Sequence, residues 1–275
     1  MKHLLIFLIS IIIFSCSSTK NVANNTSPKI KKITEAMHVK VSNLTREIAL
    51  KNNKNKISFY NQNGSLIEVH TYLSEDSISK LSKREVISFD TNDKPIRGNI
   101  YDENGQLKEY WIPLFDENDN IIEYKTFNSE ERLIEIETFT YDANGNEIDH
   151  CFSDGSGQIK YGSKSKYNSK NQLIESHGYS TFGEFAVLRI LTYNEEGKVV
   201  ERTDKRADGR VTIMKHDYDE KNKVIRTRLY DIEGNLTHET LNEYIYDAHG
   251  NWITQVNSFD GKIIIVSERS IDYFE

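Results

Sequence analysis

The feature that most constrains the fold of this chain is a short motif that recurs along most of its length. At residues 141–148 it reads Tyr-Asp-Ala-Asn-Gly-Asn-Glu-Ile, and close copies begin at Tyr101, Tyr230 and Tyr246. The shared pattern is an aromatic residue, Asp or Asn, two free positions, Gly or a substitute, a polar residue and an apolar one. The pattern predicts a hairpin turn at each copy.

The chemistry of the motif suits a three-residue hairpin loop. The Asp or Asn side chain can accept hydrogen bonds from backbone N–H groups two residues on. The Gly position, fourth when counted from the Asp or Asn, suits the left-handed conformation, which Gly adopts without steric cost. The aromatic residue should pair across the strands with the apolar residue six positions later. The residues assigned this structural role are Asp90, Asp102, Gly105, Asp116, Asp142, Gly145, Asp219, Asp231, Gly234, Asp247 and Gly250.

The spacing of the motif adds a second level of organisation. Short and long spacings alternate, so that two turns form a unit of 25 to 29 residues that occurs eight times. The turn that opens each unit has Asp or Asn second in all eight cases, whereas the other turn does so in four of eight. This predicts an up-and-down meander with one turn class along each edge. The spacing is irregular at residues 79–83, read as a loop insertion, and at residues 152–159, read as a looser turn.

Composition determines which kind of sheet to expect. Of the 275 residues, 37% are hydrophobic, yet the chain contains 15 Tyr and 12 Phe. The first value disfavours a thick two-layer core, and the aromatic content argues against disorder. We therefore expect a mainly β protein in which residues 57–275 form an extended, twisted antiparallel meander, an open solenoid sheet of tandem β-hairpins.

The first residues predict export of the protein to the bacterial cell envelope. Residues 1–15 have a basic start and an apolar run too short for a membrane-spanning helix, as in a secretory signal. The segment ending in Ile-Phe-Ser-Cys resembles the lipobox of bacterial lipoproteins, which implies cleavage before Cys16 and attachment of lipid (palmitate included) to that residue. Residues 16–29 are polar and predict a flexible tether. The expected location is the outer membrane, facing either the periplasm or the cell surface.

Residues 30–56 are interpreted as an N-terminal cap. Apolar residues at Ile33, Met37, Val41, Leu44 and Ile48 have helical spacing, which favours a helix over residues 30–50 that covers the first edge of the sheet. The alternative is a short strand at residues 38–41 followed by a degenerate turn at residues 51–56.

The repeated Tyr-Asp-x-x-Gly-x-Leu motif resembles the YD repeats of RHS-type bacterial surface and toxin-shell proteins. The paired hairpins are also similar in outline to bacterial MORN-type repeats. The resemblance covers roughly residues 57–275 and implies tandem hairpins, which coil into a hollow shell in the long members of the YD family.

The pattern of potentially reactive side chains predicts no catalytic site, no cofactor and no metal site. Cys151 and His150 are neighbours in a predicted strand, so their side chains should point to opposite faces. The net charge is −7, and the sequence has no stripe of lysine and arginine. Both observations argue against nucleic acid as a partner.

The aromatic residues Tyr110, Trp111, Tyr124 and Trp252 are the candidate ligand face. We expect a lipid-anchored envelope protein that offers a non-catalytic surface for binding or assembly, with a protein or a glycan as its partner. The alternatives are a glycan-binding accessory lipoprotein and an immunity or antitoxin-like repeat protein.

Overall fold

The fold is a single sheet of eighteen antiparallel strands, seen in a computed structural model that describes residues 28–39, 54–75 and 78–275. Within these described ranges, one 3-10 turn spans Thr181–Gly183. The strands are β1 (Ile30–Val39), β2 (Lys54–Tyr60), β3 (Leu66–Glu75), β4 (Ile78–Phe89), β5 (Pro95–Tyr101), β6 (Leu107–Phe115), β7 (Ile121–Asn128), β8 (Leu133–Tyr141), β9 (Glu147–Asp154), β10 (Ile159–Tyr167), β11 (Leu173–Tyr179), β12 (Phe185–Tyr193), β13 (Val199–Arg206), β14 (Val211–Tyr218), β15 (Val224–Tyr230), β16 (Leu236–Tyr246), β17 (Trp252–Phe259) and β18 (Lys262–Tyr273).

The turns have the geometry that the motif predicts. In the turn at Asp142, the carboxylate oxygen Oδ1 accepts hydrogen bonds from the backbone N–H groups of Asn144 and Asn146, each at 2.9 Å. Gly145 donates its N–H to the Asp142 carbonyl at 3.0 Å and has a φ of 79°. Tyr141 and Glu147 are cross-strand partners at a register shift, as expected for a loop with a bulge. The side chain of Asp142 therefore specifies the turn.

Both irregular points are more regular than the sequence suggests. Residues 79–83 lie inside β4, so the predicted loop insertion is wrong: β3 and β4 form a longer hairpin instead. Residues 152–159 contain an ordinary turn that begins at Asp154, whose Oδ1 accepts from the backbone N–H groups of Ser156 and Gln158.

The sheet closes on itself, which corrects the open solenoid. From β2 to β18 each strand pairs with the next, and β1 pairs with both β18 and β2. The result is an 18-stranded antiparallel barrel. An open sheet would leave two rows of unpaired backbone N–H and C=O groups, whereas closure pairs both of its edges.

The predicted N-terminal helix is also wrong. Residues 30–39 form β1, in which Ile33 is opposite Ile271 of β18 and Ser58 of β2. Hydrogen bonding to strands on both sides overrides the helical spacing of Ile33 and Met37, because secondary-structure preference is a weak bias compared with tertiary pairing. Residues 40–53, with the rest of the apolar stripe, lie outside the described residues, as do residues 1–27 with Cys16.

The two turn classes lie at opposite ends of the barrel, as the meander predicts. The rim formed by the opening turns, here the strict rim, also holds the ends of the described chain, where Phe274 donates its N–H to the Lys29 carbonyl at 2.8 Å. Tyrosines that precede these turns tie neighbouring hairpins together. The hydroxyl of Tyr193, for example, donates to the Leu173 carbonyl at 2.7 Å, and Tyr141, Tyr167 and Tyr218 do the same to Ile121, Glu147 and Val199.

The barrel encloses a lumen without an apolar core. At residues 111–115 of β6 and 267–273 of β18 every second side chain is more buried than its neighbours. We assign this more buried set to the lumenal face, because a concave surface shields side chains more than a convex one. No apolar side chain among the described residues is fully buried, so the lumen is not packed solid. Barrels of about 16–18 strands are wide enough for a water-filled interior.

The outer face of the barrel carries charged side chains together with exposed apolar ones such as Ile112 and Leu114. Ion pairs join neighbouring strands there, as in Lys32–Asp272 at 2.8 Å, Arg84–Glu68 at 2.7 Å and Arg228–Asp217 at 2.8 Å. A lipid-facing barrel wall instead has a continuous apolar band about 25 Å tall. The described outer face therefore suits contact with water.

The left-handed residues of the turns yield a stability prediction. Replacing Gly145 by Val should destabilise the protein by about 1–3 kcal/mol, because a β-branched residue is strained at positive φ. Urea unfolding would measure the loss. The matched control is Ala143→Val in the same exposed turn, where φ is not positive and little change is expected. Equal stability of the two variants would contradict the assigned turn geometry.

Candidate functional site

The most distinctive feature of the lumenal face is a row of rings on five consecutive strands, β6 to β10. The lumenal aromatic row consists of Trp111, Tyr124, Phe139, His150 and Tyr161. Neighbouring ring centroids are 5.4, 6.2, 4.9 and 6.4 Å apart in that order. Edge-to-face and offset contacts at such distances favour aromatic pairs. The row is therefore a continuous platform across the wall.

A glycine makes room for the first ring of the row. Gly98 of β5 is the direct cross-strand partner of Trp111, and a Cβ atom there would lie only 2.1 Å from Cε2 of the indole. The ring lies over this strand and donates its Nε1–H to Oε1 of Glu85 on β4 at 2.8 Å. The sequence thus holds Trp111 flat against the wall instead of extended into the lumen.

Carboxylates line the same part of the wall. Glu109, Glu135 and Glu137 lie beside the row, and together with Glu85 they form the lumenal carboxylates. Burial raises the pKa of Glu135, and the charges of Glu109 and Glu137 raise it further. Burial, assisted by Glu137, raises the pKa of Tyr124 to about 12. The row and the carboxylates therefore share one acidic, partly desolvated environment.

His150 is held by one of these carboxylates, at 2.7 Å between its Nε2 and Oε1 of Glu137. Burial alone would lower the pKa of His150, but the hydrogen bond to Glu137 and its charge outweigh burial and hold the pKa above its ordinary value. The pair favours the protonated imidazole.

A different part of the lumenal wall is basic. Asp204 of β13 is only 1% exposed and accepts hydrogen bonds from Nε of Arg189 at 3.1 Å and of Arg202 at 2.9 Å. Burial opposes ionisation of Asp204, but the two guanidinium groups hold its pKa below the ordinary value. Charge is therefore segregated around the lumen, with the acidic, aromatic part on β6–β10 and the arginine cluster on β12 and β13.

The structure brings together half of the predicted ligand face. Trp111 and Tyr124 are neighbours in the lumenal aromatic row. Tyr110 is on the outer face, where it stacks on Phe127 at 5.2 Å with Arg97 over its ring. Trp252 lies apart from the row, under the guanidinium of Arg269 at 3.4 Å.

Three members of the row were not predicted: Phe139, His150 and Tyr161. Their common signal was period-two alternation, which places every second residue of neighbouring strands on one face. The cross-strand register decides which residues of neighbouring strands become adjacent, and that register could not be predicted from the sequence.

The remaining predicted residues stay in structural roles. Among the described residues no group of three or more His, Cys, Asp or Glu side chains could hold a metal ion. The turn residues carry the hydrogen bonds described above. His150 is lumenal and Cys151 is on the outer face, beside Tyr179, so the two do not form a nucleophile–base pair. The described part of the chain contains no helix long and apolar enough to cross a membrane.

Comparison with known proteins assigns neither a family nor a function to this chain. No protein-family model matches the sequence, and no curated protein matches it. A solved porin-like protein from Bacteroides uniformis has 8% identity and a TM-score of 0.49, over 90% of this chain and 99% of that one. The Photorhabdus luminescens Tc holotoxin pore has 13% identity and a TM-score of 0.35, over 79% of this chain and 14% of that chain. Similarities this low transfer no function.

What the fold and site define is a class: a closed antiparallel β-barrel with an open, chemically divided lumen. The expected repeat hairpins are present. No family model matches the chain, so membership in the YD-repeat family is not shown.

The His150–Glu137 pair yields a prediction about pH. Because the folded pKa of His150 is raised, the pair stabilises the protein fully below the unfolded value of about 6.5 and loses this effect as pH rises through the folded pKa. Glu137→Gln should lower the His150 pKa and remove that pH dependence, as measured by NMR titration of the imidazole. Glu135→Gln is the control, since Glu135 makes no hydrogen bond to His150. An unchanged titration midpoint in Glu137→Gln would contradict the assigned pairing.

Proposed function

We propose that this protein is a non-catalytic binding protein of the bacterial cell envelope, tethered by lipid at Cys16, with its ligand surface on the lumenal wall. The observation that carries the proposal is the lumenal aromatic row. The most exposed ring of the row, Tyr161, is 47% exposed even though Phe152 stacks on it at 4.7 Å. Ordered aromatic rings that remain accessible are typical of ligand sites.

The arrangement of the row favours binding over a purely structural role. Cross-strand aromatic pairs stabilise a sheet wherever they occur. Here the rings are concentrated on five consecutive strands and share their part of the wall with carboxylates, while the arginine cluster lies elsewhere. A set of stabilising pairs alone would not require this segregation.

The charged outer face supports attachment through a tether. A wall that carries Lys32–Asp272 and Arg84–Glu68 pairs is costly to insert into lipid. A lipid attached to Cys16 would hold the barrel at the membrane surface with its wall in water. The chain enters the barrel at Lys29 on the strict rim, so the tether would join that rim.

The tether yields a prediction about localisation. Cys16→Ala should release the protein from membranes into the soluble part of the envelope fraction, because the lipid is its only strong membrane contact in this account. Fractionation of cells that produce each form would show this. Recovery of the variant in membranes would rule out anchoring through Cys16.

The aromatic row yields a prediction about ligands. In a thermal-shift screen of oligosaccharides, oligopeptides and linear polyamines, at least one class should raise the Tm of the native protein by about 2 °C or more. Tyr161→Leu should reduce that shift, because it removes the exposed end of the platform.

The control for this screen is Tyr110→Leu, which removes a tyrosine from the outer face and should keep the full shift. If no class shifts the Tm, or if both variants respond like the native protein, the lumenal row is not the ligand site.

A further inference from the structure

Two of the lumenal carboxylates, those of Glu109 and Glu135, lack cations of their own. Their side chains make no hydrogen bond or ion pair with any described residue. Glu85 accepts a hydrogen bond from the indole of Trp111 and pairs with Lys83 at 3.7 Å, and Glu137 pairs with His150. The charges of Glu109 and Glu137 act unfavourably on Glu135 and raise its pKa. The negative charges of Glu109 and Glu135 are therefore not compensated by any described residue.

The sequence of β6 to β9 keeps lysine and arginine away from Glu109 and Glu135. The strands β6, β7, β8 and β9 are fully described, and none has a lysine or arginine at a lumenal position. Their basic residues, Lys108 and Lys125, alternate onto the outer face, where Lys125 pairs with Glu123 at 2.7 Å. A cation supplied from outside would relieve the repulsion between the lumenal carboxylates.

The rings beside the carboxylates also suit a cation. The face of an aromatic ring attracts ammonium groups, most strongly in Trp, and the attraction increases when water is excluded. The row crosses five strands, which corresponds to a width of about 19 Å at the usual strand separation. An elongated aliphatic chain could lie along it and place nitrogen atoms next to the carboxylates.

We propose, building on the lumenal binding function above, that the ligand of this wall is a linear polyamine, whose methylene chain lies on the lumenal aromatic row and whose ammonium groups pair with Glu109 and Glu135.

Two other ligand classes fit the wall less well. Sugar hydroxyls both donate and accept hydrogen bonds, whereas the free polar groups beside the row are mainly carboxylate acceptors. Extended peptides are often captured by addition to a free sheet edge, and the closed barrel has none. An ammonium group needs only acceptors and ring faces, which this wall supplies.

The protein's two tryptophans allow a direct test. In a Trp252→Phe background the remaining indole is Trp111, so its fluorescence reports on the row. Titration with spermine should produce a saturable change that weakens as salt is added. Glu135→Gln and Glu109→Gln, each nearly isosteric, should weaken spermine binding about tenfold, equivalent to about 1.4 kcal/mol.

The control for net charge is Glu201→Gln. Glu201 pairs with Lys215 on the outer face at 3.6 Å, so this variant loses the same charge outside the lumen and should bind spermine normally. Equal weakening by all three substitutions would mean nonspecific attraction to an acidic protein and would overturn the polyamine proposal.

The uncharged probe is cellotetraose, which separates this proposal from the proposed function. A response to cellotetraose without one to spermine would overturn the polyamine assignment and leave the lumenal binding function intact. If neither spermine nor cellotetraose changes the fluorescence, and Tyr161→Leu has no effect in the thermal-shift screen, the polyamine proposal and the lumenal binding function are both overturned.

Discussion

The rest of the structure depends on the pairing of β1 with two strands at once. Every sheet edge leaves backbone N–H and C=O groups that must find partners, and a long meander of hairpins has two such edges. Inserting β1 between β18 and β2 removes both. Closure creates the lumen, separates a shielded face from an exposed one and holds eighteen strands together although no described apolar side chain is fully buried. Hydrogen-bonded ladders and cross-strand pairs take the place of a packed interior.

The local part of this architecture could be predicted from the sequence, and the global part could not. The turn at Asp142 and Gly145 is encoded by side-chain and backbone preferences within five residues, so the hairpins and the two rims follow from the repeat. Closure depends on the twist summed over many strands, and no single motif determines that sum. The helical spacing of Ile33 and Met37 misleads for the same reason: the strand that closes the sheet is selected by partners more than 200 residues away.

The candidate site shows the same division. Trp111 and Tyr124 could be identified as unusual aromatics, but Tyr110 differs from Trp111 by one position and lies on the opposite face. Phe139 and His150 joined the site only once register placed them beside Tyr124. Register also explains why the tyrosine hydroxyls of the strict rim, such as Tyr193, reach the carbonyls of the neighbouring hairpin, a tie that the sequence motif did not predict. Repetition thus builds the wall, while the variable positions between turns give one part of it a distinct chemistry.

Closure itself is tested most directly by joining β1 to β18 through a disulfide. Thr34 and Ser270 are directly paired on the outer face, and Thr34→Cys with Ser270→Cys, in a chain lacking Cys16 and Cys151, places two thiols there. Thr203→Cys with Ile213→Cys within one hairpin is the positive control, because it forms in an open or a closed sheet. The barrel predicts that mild oxidation forms an intramolecular disulfide in both proteins, measured as the loss of free thiols from the monomer band on a non-reducing gel. A disulfide in the control alone would mean that the sheet is open.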